Sequence, residues 1–284
     1  MRGLENGTLL IKSRKLEETA EHVSRLTIRC MLNGEQYYKV GGHDHLVHPN
    51  NFLIVNQGQL YKTAFEGSEE KEMLLVAFKP EFAESLLHSL VTPEDNLLEE
   101  PFYVNTQPVL FFEQTYDADP VISYYFRMLR GLINEDIGIR KEFDLDHIYT
   151  QLLTRLLQLH RMIGGRMMDI PSVKKSTKVE LYRRLHIARD YMDVHACEKI
   201  GLDAIAREAC LSVHHFKRTF RDLFGISPHQ YLIRKRLSKA ESLLRHTPLT
   251  IEYICKSTGF ESASSFIRLF REHTGSTPGN FRRI

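Results

Sequence analysis

Two arginines, Arg218 and Arg268, occupy matching positions in two copies of one short sequence pattern. A guanidinium group carries a permanent charge and a planar fork of N–H donors, which suits phosphate oxygens and the O6/N7 edge of guanine. The same cation at two places along the chain could bind one polyanion twice. This chemistry needs elements that hold both arginines on an exposed surface.

The repeated pattern supplies such elements. Its copies cover residues 202–231 and 251–281, and the second copy has one extra residue. Apolar residues recur at helical spacing on both sides of a short break in each copy. Two short helices joined by a tight turn form a helix-turn-helix, predicted at about residues 202–224 and 251–274.

The turns of the two copies differ in one residue. Gly259 in the second copy suits the left-handed conformation that ends a helix. Cys210 takes that place in the first copy, so we expect its turn to be less strained or differently built. Ser212 and Ser262 are the predicted N-caps of the second helices.

A long helix is predicted between the two units. Ser227-Pro228 is a helix start signal, and no breaker follows until Pro248. A helix of roughly 20 residues is about 30 Å long. One turn of B-DNA advances about 34 Å, so such a spacer would let two helices enter successive major grooves on one face.

Charge is divided unevenly along the chain, although the formal net charge is only +2. Residues 172–284 contain 21 Lys and Arg against 11 Asp and Glu, a net of +10. Residues 1–171 contain 17 against 25, a net of −8. A basic half alone is also compatible with RNA or a membrane surface, and one helical pair could be ordinary core. The duplication together with the charge favours duplex DNA.

At these residues the chain resembles the AraC/XylS family of bacterial transcription regulators. The resemblance covers roughly residues 180–284 and departs mildly at Cys255 and Phe281, where Ala and Tyr are usual. Its carriers are Gly259-Phe260, Ser264, Phe266, Arg268, Phe270, Gly275, Thr277-Pro278 and Phe281-Arg282.

The resemblance implies which side chains face the bases, and Arg218 and Arg268 are the strongest candidates. The implied base-contacting residues are His214, Lys217, Arg218, Ala263, Ser264, Ile267 and Arg268. We interpret a second group of cations as phosphate contacts, which position the protein without reading sequence. These are Arg221, Lys235, Arg271 and Arg282. For any single cation the alternative is a solvated surface charge.

The repeat and the charge split, together with this resemblance, favour a sequence-specific transcription regulator rather than an enzyme. We expect an activator, with a repressor as the alternative. We expect double-stranded promoter DNA, RNA polymerase and a second copy of the chain as partners, with a small-molecule effector as a further possibility. The expected fold class is α+β with two domains. These are a cupin-like N-terminal β-barrel with helices and an all-α domain in which a long helix joins two helix-turn-helix units.

The N-terminal part carries strand signals followed by two helical patterns. Turn residues separate five β-rich runs, which favours a small barrel or sandwich. The runs are Leu26–Met31, Gln36–Val40, Asn51–Val55, Tyr61–Phe65 and Met73–Phe78. Helices are predicted near 119–135 and 144–162. The resemblance implies that this part is a sensory barrel; a pure dimerisation scaffold is the alternative.

The second helical pattern has an unusually broad apolar face. We interpret that face as a dimer contact, with packing inside one chain as an equal alternative. Its residues are Leu145, Ile148, Leu152, Leu156 and Leu159.

A histidine cluster raises the possibility of a metal. His43, His45 and His48 could place two imidazoles on one side of a strand. Metal-binding cupins also use a Glu where this chain has Pro49, and the further His is missing, so we expect no metal, cofactor or catalytic residue. The rival hypothesis is a metal-dependent cupin enzyme fused to a DNA-targeting module.

Domain boundaries are predicted at 1–163 and 180–284, with a linker at 164–179 that contains Gly164-Gly165 and Pro171. The four cysteines show no metal or redox spacing, which favours a reducing compartment. We find no signal peptide pattern and no apolar run of about 18 residues, so a cytoplasmic protein without membrane contact is expected.

Overall fold

The computed structural model describes residues 6–13, 21–64, 70–92, 108–134, 140–168 and 175–282. The chain divides into two compact units. Unit 1 comprises residues 1–169 and unit 2 comprises residues 170–284.

Antiparallel strands dominate the first part of unit 1. The strands are β1 (Gly7–Ser13), β2 (His22–Val23), β3 (Thr27–Asn33), β4 (Gln36–Val40), β5 (His43–Val47), β6 (Asn51–Val55), β7 (Leu60–Ala64), β8 (Lys71–Ala77) and β9 (Thr115–Asp117). They form one sheet in the order β1-β8-β3-β6-β9 and a second in the order β2-β7-β4-β5. The five predicted runs are found as β3, β4, β6, β7 and β8, although Phe65 lies outside the described residues.

The two sheets enclose one apolar core. Met31, Leu53 and Met73 project into it from the first sheet, and Tyr38 and Val47 from the second. These side chains alternate with outward-facing neighbours because successive residues of a strand point to opposite faces. The β-rich N-terminal domain predicted from the sequence is therefore confirmed at the level of fold.

The described residues of unit 1 also form three helices, one between β8 and β9 and two after β9. They are α1 (Phe82–Val91), α2 (Pro120–Asn134) and α3 (Arg140–Met168). Arg155 of α3 pairs with Asp119, just before α2, at 2.6 Å. Arg130 of α2 reaches Glu72 of β8, also at 2.6 Å. These ion pairs connect α2 to both α3 and the first sheet.

The predicted dimer face of α3 is largely buried within the single chain. Ile148, Leu152 and Leu156 have exposed fractions of 3%, 0% and 1%, while Leu145 and Leu159 are half-buried. The sequence left packing inside one chain as an alternative, and for the first three residues it is the arrangement observed. A broad apolar stripe looks the same from sequence whether its partner lies on the same chain or another.

Unit 2 is helical throughout its described secondary structure. Its helices are α4 (Lys175–Val194), α5 (Leu202–Glu208), α6 (Val213–Phe224), α7 (Pro228–His246), α8 (Ile251–Ser257), α9 (Ala263–Thr274) and α10 (Pro278–Phe281). Helices α5 and α6 form the first helix-turn-helix, and α8 and α9 form the second. The described parts of the predicted linker, 164–168 and 175–179, are helical, because α3 continues through Gly164-Gly165 and α4 begins at Lys175.

Helix α7 contributes to the cores of both helix-turn-helix units. Near its start, the ring of Tyr231 packs edge-on against Phe220 of α6 at 5.7 Å. Nearer its end, Leu237 and Leu244 join the apolar cluster that contains Phe270 of α9. The predicted spacer helix is therefore present. The first helix-turn-helix packs near its start, and the second packs nearer its end.

The turn at Cys210 corrects the sequence prediction. Its φ angle is +51°, so a non-glycine residue adopts the same left-handed conformation as Gly259, whose φ is +80°. The Cys210 carbonyl accepts a hydrogen bond from Arg184 of α4 at 3.0 Å. The first turn is therefore not differently built, and it accepts backbone strain that the second turn avoids.

Substitutions at the two turns should have opposite effects on stability. A Cβ on Gly259 would lie 2.8 Å from the carbonyl oxygen of Cys197, so Gly259→Ala should lower the free energy of unfolding, by about 2 kcal/mol or more. Cys210→Gly should raise it by about 0–1 kcal/mol, since relief of strain outweighs the added freedom of the unfolded chain. Urea denaturation followed by circular dichroism measures both, and equal losses for the two variants would contradict this account.

A second stability measurement tests the packing of α3. Leu152→Ala should lower the free energy of unfolding by about 2–5 kcal/mol because it leaves a cavity in a packed interior. Met162→Ala is the matched control on the same helix, where the side chain is 50% exposed. Sedimentation velocity on both variants should show the oligomeric state of the unaltered chain. If Leu152→Ala changed the oligomeric state and left stability intact, Leu152 would belong to an interface between chains.

Candidate nucleic-acid interface

Caps fix the start and end of both recognition helices, α6 and α9. The Ser212 hydroxyl accepts a hydrogen bond from the His215 amide at 3.3 Å. Ser262 accepts from the Ser265 amide at 3.4 Å, so both predicted N-caps are confirmed. Each helix ends at a glycine in the left-handed conformation, Gly225 or Gly275. The matching ends set the same rotational position for the side chains of both helices.

A pair of phenylalanines buries the inner face of each recognition helix. Phe216 and Phe220 of α6, like Phe266 and Phe270 of α9, have an exposed fraction of 0%. Each pair lies four residues apart, so both rings fall on one side of the helix. Residues follow each other at about 100° around an α-helix. The buried side of each helix is therefore fixed, and four positions lie outside it. They are residues 214, 217, 218 and 221 of α6 and residues 264, 267, 268 and 271 of α9.

The structure places all seven predicted base-contacting residues on exposed surface. His214, Lys217 and Arg218 are exposed on α6, as are Ser264, Ile267 and Arg268 on α9. Ala263 is also exposed, at the first position of α9. Base contact itself stays a prediction for each of them, but none is needed for the core.

The four predicted phosphate contacts fall into two groups. Arg221 and Arg271 are exposed on the same helix faces as the base-contacting candidates, whereas Lys235 and Arg282 are half-buried. Arg282 donates to the carbonyl oxygen of Leu249. A phosphate role for Lys235 and Arg282 stays a prediction, and it would compete with contacts that each side chain makes within unit 2.

Lys235 is part of a buried polar cluster between α4 and α7. Its ammonium group lies 3.0 Å from the carboxylate of Asp193, whose side chain is only 9% exposed. The Tyr231 hydroxyl donates to the same carboxylate at 2.8 Å. Burial raises the pKa of Asp193, and the neighbouring Lys235 charge opposes that rise. This cluster fixes α4 against the start of α7, and sequence analysis did not find it.

The two recognition helices differ in how their key arginine is held. Arg268 pairs with Glu272 one turn later at 2.8 Å, and both side chains are more than half exposed. The matching residue after Arg218 is the shorter Asp222, and among the described residues Arg218 makes no ion pair. The spacing of four residues could have predicted the Arg268–Glu272 pair. DNA must compete with Glu272 for Arg268, while Arg218 is available directly.

The histidine cluster of unit 1 lies on and after β5. His45 is 1% exposed and His43 is half-buried in the same strand. His48 lies beyond the strand, where its Nδ1 accepts from the Asn50 amide at 3.2 Å. Within the described ranges, no group of three or more His, Cys, Asp or Glu side chains could hold a metal ion.

Two helix-turn-helix pairs, each with exposed cations on its second helix, define unit 2 as a helix-turn-helix DNA-binding domain. Residues 205–284 match the family described as "Helix-turn-helix domain". Residues 18–107 match the family described as "AraC-like ligand binding domain". The chain belongs to the AraC/XylS family of regulators, and the resemblance noted in its sequence is confirmed.

Curated relatives match this chain over part of their own length. The probable transcriptional regulator LumQ of Photobacterium leiognathi is 28% identical over 142 residues, which cover 50% of this chain and 54% of LumQ. The HTH-type transcriptional activator RhaS of Escherichia coli is 31% identical over 100 residues, 35% of this chain and 36% of RhaS. The chain thus matches about half or about a third of the length of these relatives.

Solved structures also align with about a third of the chain. The DNA-binding domain of the global transcriptional factor AdpA, in complex with a target DNA, is 29% identical with a TM-score of 0.34. It covers 35% of this chain and 90% of that one. The C-terminal domain of AraT from Geobacillus stearothermophilus is 28% identical with a TM-score of 0.34, covering 35% and 84%. Among the described helices of this protein, none is both long and apolar enough to span a membrane.

Replacing one arginine at a time should separate base contacts from phosphate contacts. Arg268→Ala should cost about 1–3 kcal/mol of binding free energy at one base position and relax specificity there. Arg271 lies three residues later on the same helix. Arg271→Ala should weaken binding to all sequences similarly and reduce the slope of log binding constant against log salt concentration by about 0.9. Fluorescence anisotropy on single-base operator variants measures both, and uniform loss for Arg268→Ala would remove it from the base-contacting set.

Proposed function

We propose that this chain is a sequence-specific transcription regulator that binds duplex promoter DNA through α6 and α9. The observation that carries the proposal is the pair of recognition helices whose seven candidate base-contacting residues are all exposed. Unit 2 also has the surplus of positive charge that duplex phosphate attracts. The shared family of the chain and its regulator relatives supports the same conclusion.

The spacing of the two helices supports simultaneous binding. Helix α7 has 19 residues, which corresponds to a length of about 28 Å. The first helix-turn-helix packs near its start and the second nearer its end. In the proposal, α6 and α9 enter successive major grooves, which lie about 34 Å apart on one face of B-DNA.

Unit 1 in this proposal senses a small-molecule effector and supports a homodimer. The match to an AraC-like ligand binding domain over residues 18–107 favours sensing over a pure scaffold. The regulator acts as an activator by recruiting RNA polymerase in the cytoplasm, where promoter DNA is found. Its action is binding rather than catalysis, and the described residues offer no metal cluster for the rival cupin enzyme.

Selection of bound DNA from a random pool by the full chain tests the proposal. The selected operator should bind about 10³ times more tightly than random duplex, with an affinity that falls steeply as salt rises. The double variant Arg218→Ala/Arg268→Ala should lose most of this preference. Lys256→Ala is the control, because this 74% exposed lysine lies on α8, outside both recognition helices. A chain that binds every fragment as weakly as random duplex would refute sequence-specific recognition.

A further inference from the structure

Polar side chains share the interior of unit 1 with its apolar core. Arg29 of β3 lies two residues before Met31, so both side chains occupy the inward face of the strand. Gln36 and Tyr38 share the inward face of β4 in the opposite sheet in the same way. The exposed fractions are 3% for Arg29, 0% for Gln36 and 1% for Tyr38. A charged group and two polar groups are therefore enclosed between the sheets.

Two N–H donors in this interior are not satisfied. The Tyr38 hydroxyl donates to Gln36 Oε1 at 2.8 Å, which occupies the acceptor end of the amide. Among the described residues, neither Arg29 Nε nor Gln36 Nε2 has a hydrogen-bond partner. Buried polar atoms in native proteins are nearly always paired, so each exception needs an explanation. Arg29 Nε and Gln36 Nε2 are N–H donors, so they call for an acceptor.

The charge of Arg29 is also uncompensated by any carboxylate within the described ranges. Its Cζ lies 3.9 Å from the ring centroid of Tyr61 and 5.4 Å from that of Tyr38, and cation–π attraction offsets part of the cost of burial. Glu72 on the neighbouring strand β8 precedes the inward-facing Met73, and it pairs with Arg130 of α2 instead. A buried charge without an opposite charge is costly, and an anion would remove that cost.

We propose that this interior binds a small organic acid, whose carboxylate accepts hydrogen bonds from Arg29 and Gln36. The inference rests on the proposed ligand-sensing role of unit 1 and names the chemical class of its effector. A guanidinium fork and an amide N–H match the in-plane acceptors of a carboxylate. The half-buried ring of Tyr61 covers the guanidinium, so the acid displaces this ring when it binds.

The surroundings favour an organic acid over other ligands. Val40, Leu53 and Val55 belong to the same buried cluster, so the body of an acid bound beside Arg29 would contact apolar side chains. A neutral sugar would leave the Arg29 charge unpaired, and an inorganic anion would leave the apolar residues unused. Specific polar groups within an apolar lining are typical of small-molecule sites.

The first test needs no ligand. Gln36→Glu places a carboxylate of nearly the same shape in the interior, where it meets the uncompensated charge of Arg29. The full chain carrying this substitution should melt several degrees higher than the unaltered chain, and the gain should disappear in Gln36→Glu/Arg29→Met. A lower melting temperature for Gln36→Glu alone overturns the proposal, because it means that the interior holds no unpaired positive charge.

The second test uses acids and their neutral amides as probes of the full chain. Propionate, hexanoate and benzoate are compared with propionamide, hexanamide and benzamide by thermal shift and calorimetry. At least one acid should bind about ten times more tightly than its amide, or better. Gln36→Glu and Arg29→Met should abolish the difference. Lys62→Met should keep it, because this lysine is exposed on β7, outside the interior.

Two outcomes overturn the proposed ligand class. One is that no acid binds better than its amide, and the other is that inorganic phosphate binds as well as the best acid. DNA binding by the same samples separates this failure from failure of the proposed function. Operator binding without acid binding removes only the ligand class, whereas absence of specific operator binding removes the regulator itself.

Discussion

Both recognition helices depend on one constraint, the burial of two phenylalanines four residues apart. Phe216 with Phe220, and Phe266 with Phe270, are fully buried, and α7 helps to close both cores. Once these rings are inside, the geometry of the helix turns the two residues that follow the first ring of each pair outward. The exposed cations therefore result from core packing. A chain without either ring pair would keep all its charges, but nothing would hold that recognition helix with its cations facing outward.

Charge has a different role in each unit. In unit 2 the cations among the candidate base-contacting residues are exposed, and the ion pair that Arg268 makes with Glu272 is exposed as well. Such surface pairs contribute little to stability and can give way to phosphate. In unit 1 the important cation, Arg29, is buried and stacked on Tyr61. In the two proposals, each arrangement presents positive charge to an anion. The exposed cations of unit 2 bind DNA phosphate, and the buried Arg29 of unit 1 binds a carboxylate inside the domain.

Sequence patterns predicted the elements whose signals are local. Strands β4 and β6 have the predicted bounds, and the repeat located both helix-turn-helix units with their serine caps. Strand β5 was absent from the predicted β-rich runs because its HDH segment lacks strand-like apolar alternation, although the histidine hypothesis placed it on a strand. Helix α1 was not predicted, and Glu81 begins it without a side-chain cap. The Asp193–Lys235–Tyr231 cluster joins residues about 40 positions apart. No local pattern encodes such a contact. The apolar face of α3 was likewise visible in the sequence, but the sequence did not show whether its partner lies on the same chain or on another.

The most direct measurement of the central claim is hydroxyl-radical footprinting of the full chain on its selected operator. Two recognition helices at opposite ends of α7 should protect two backbone patches about 10 base pairs apart, on one face of the duplex. Arg218→Ala should weaken one patch and Arg268→Ala the other. A single protected patch, or two patches on opposite faces, would contradict an arrangement in which α7 presents both helices to the same side of DNA.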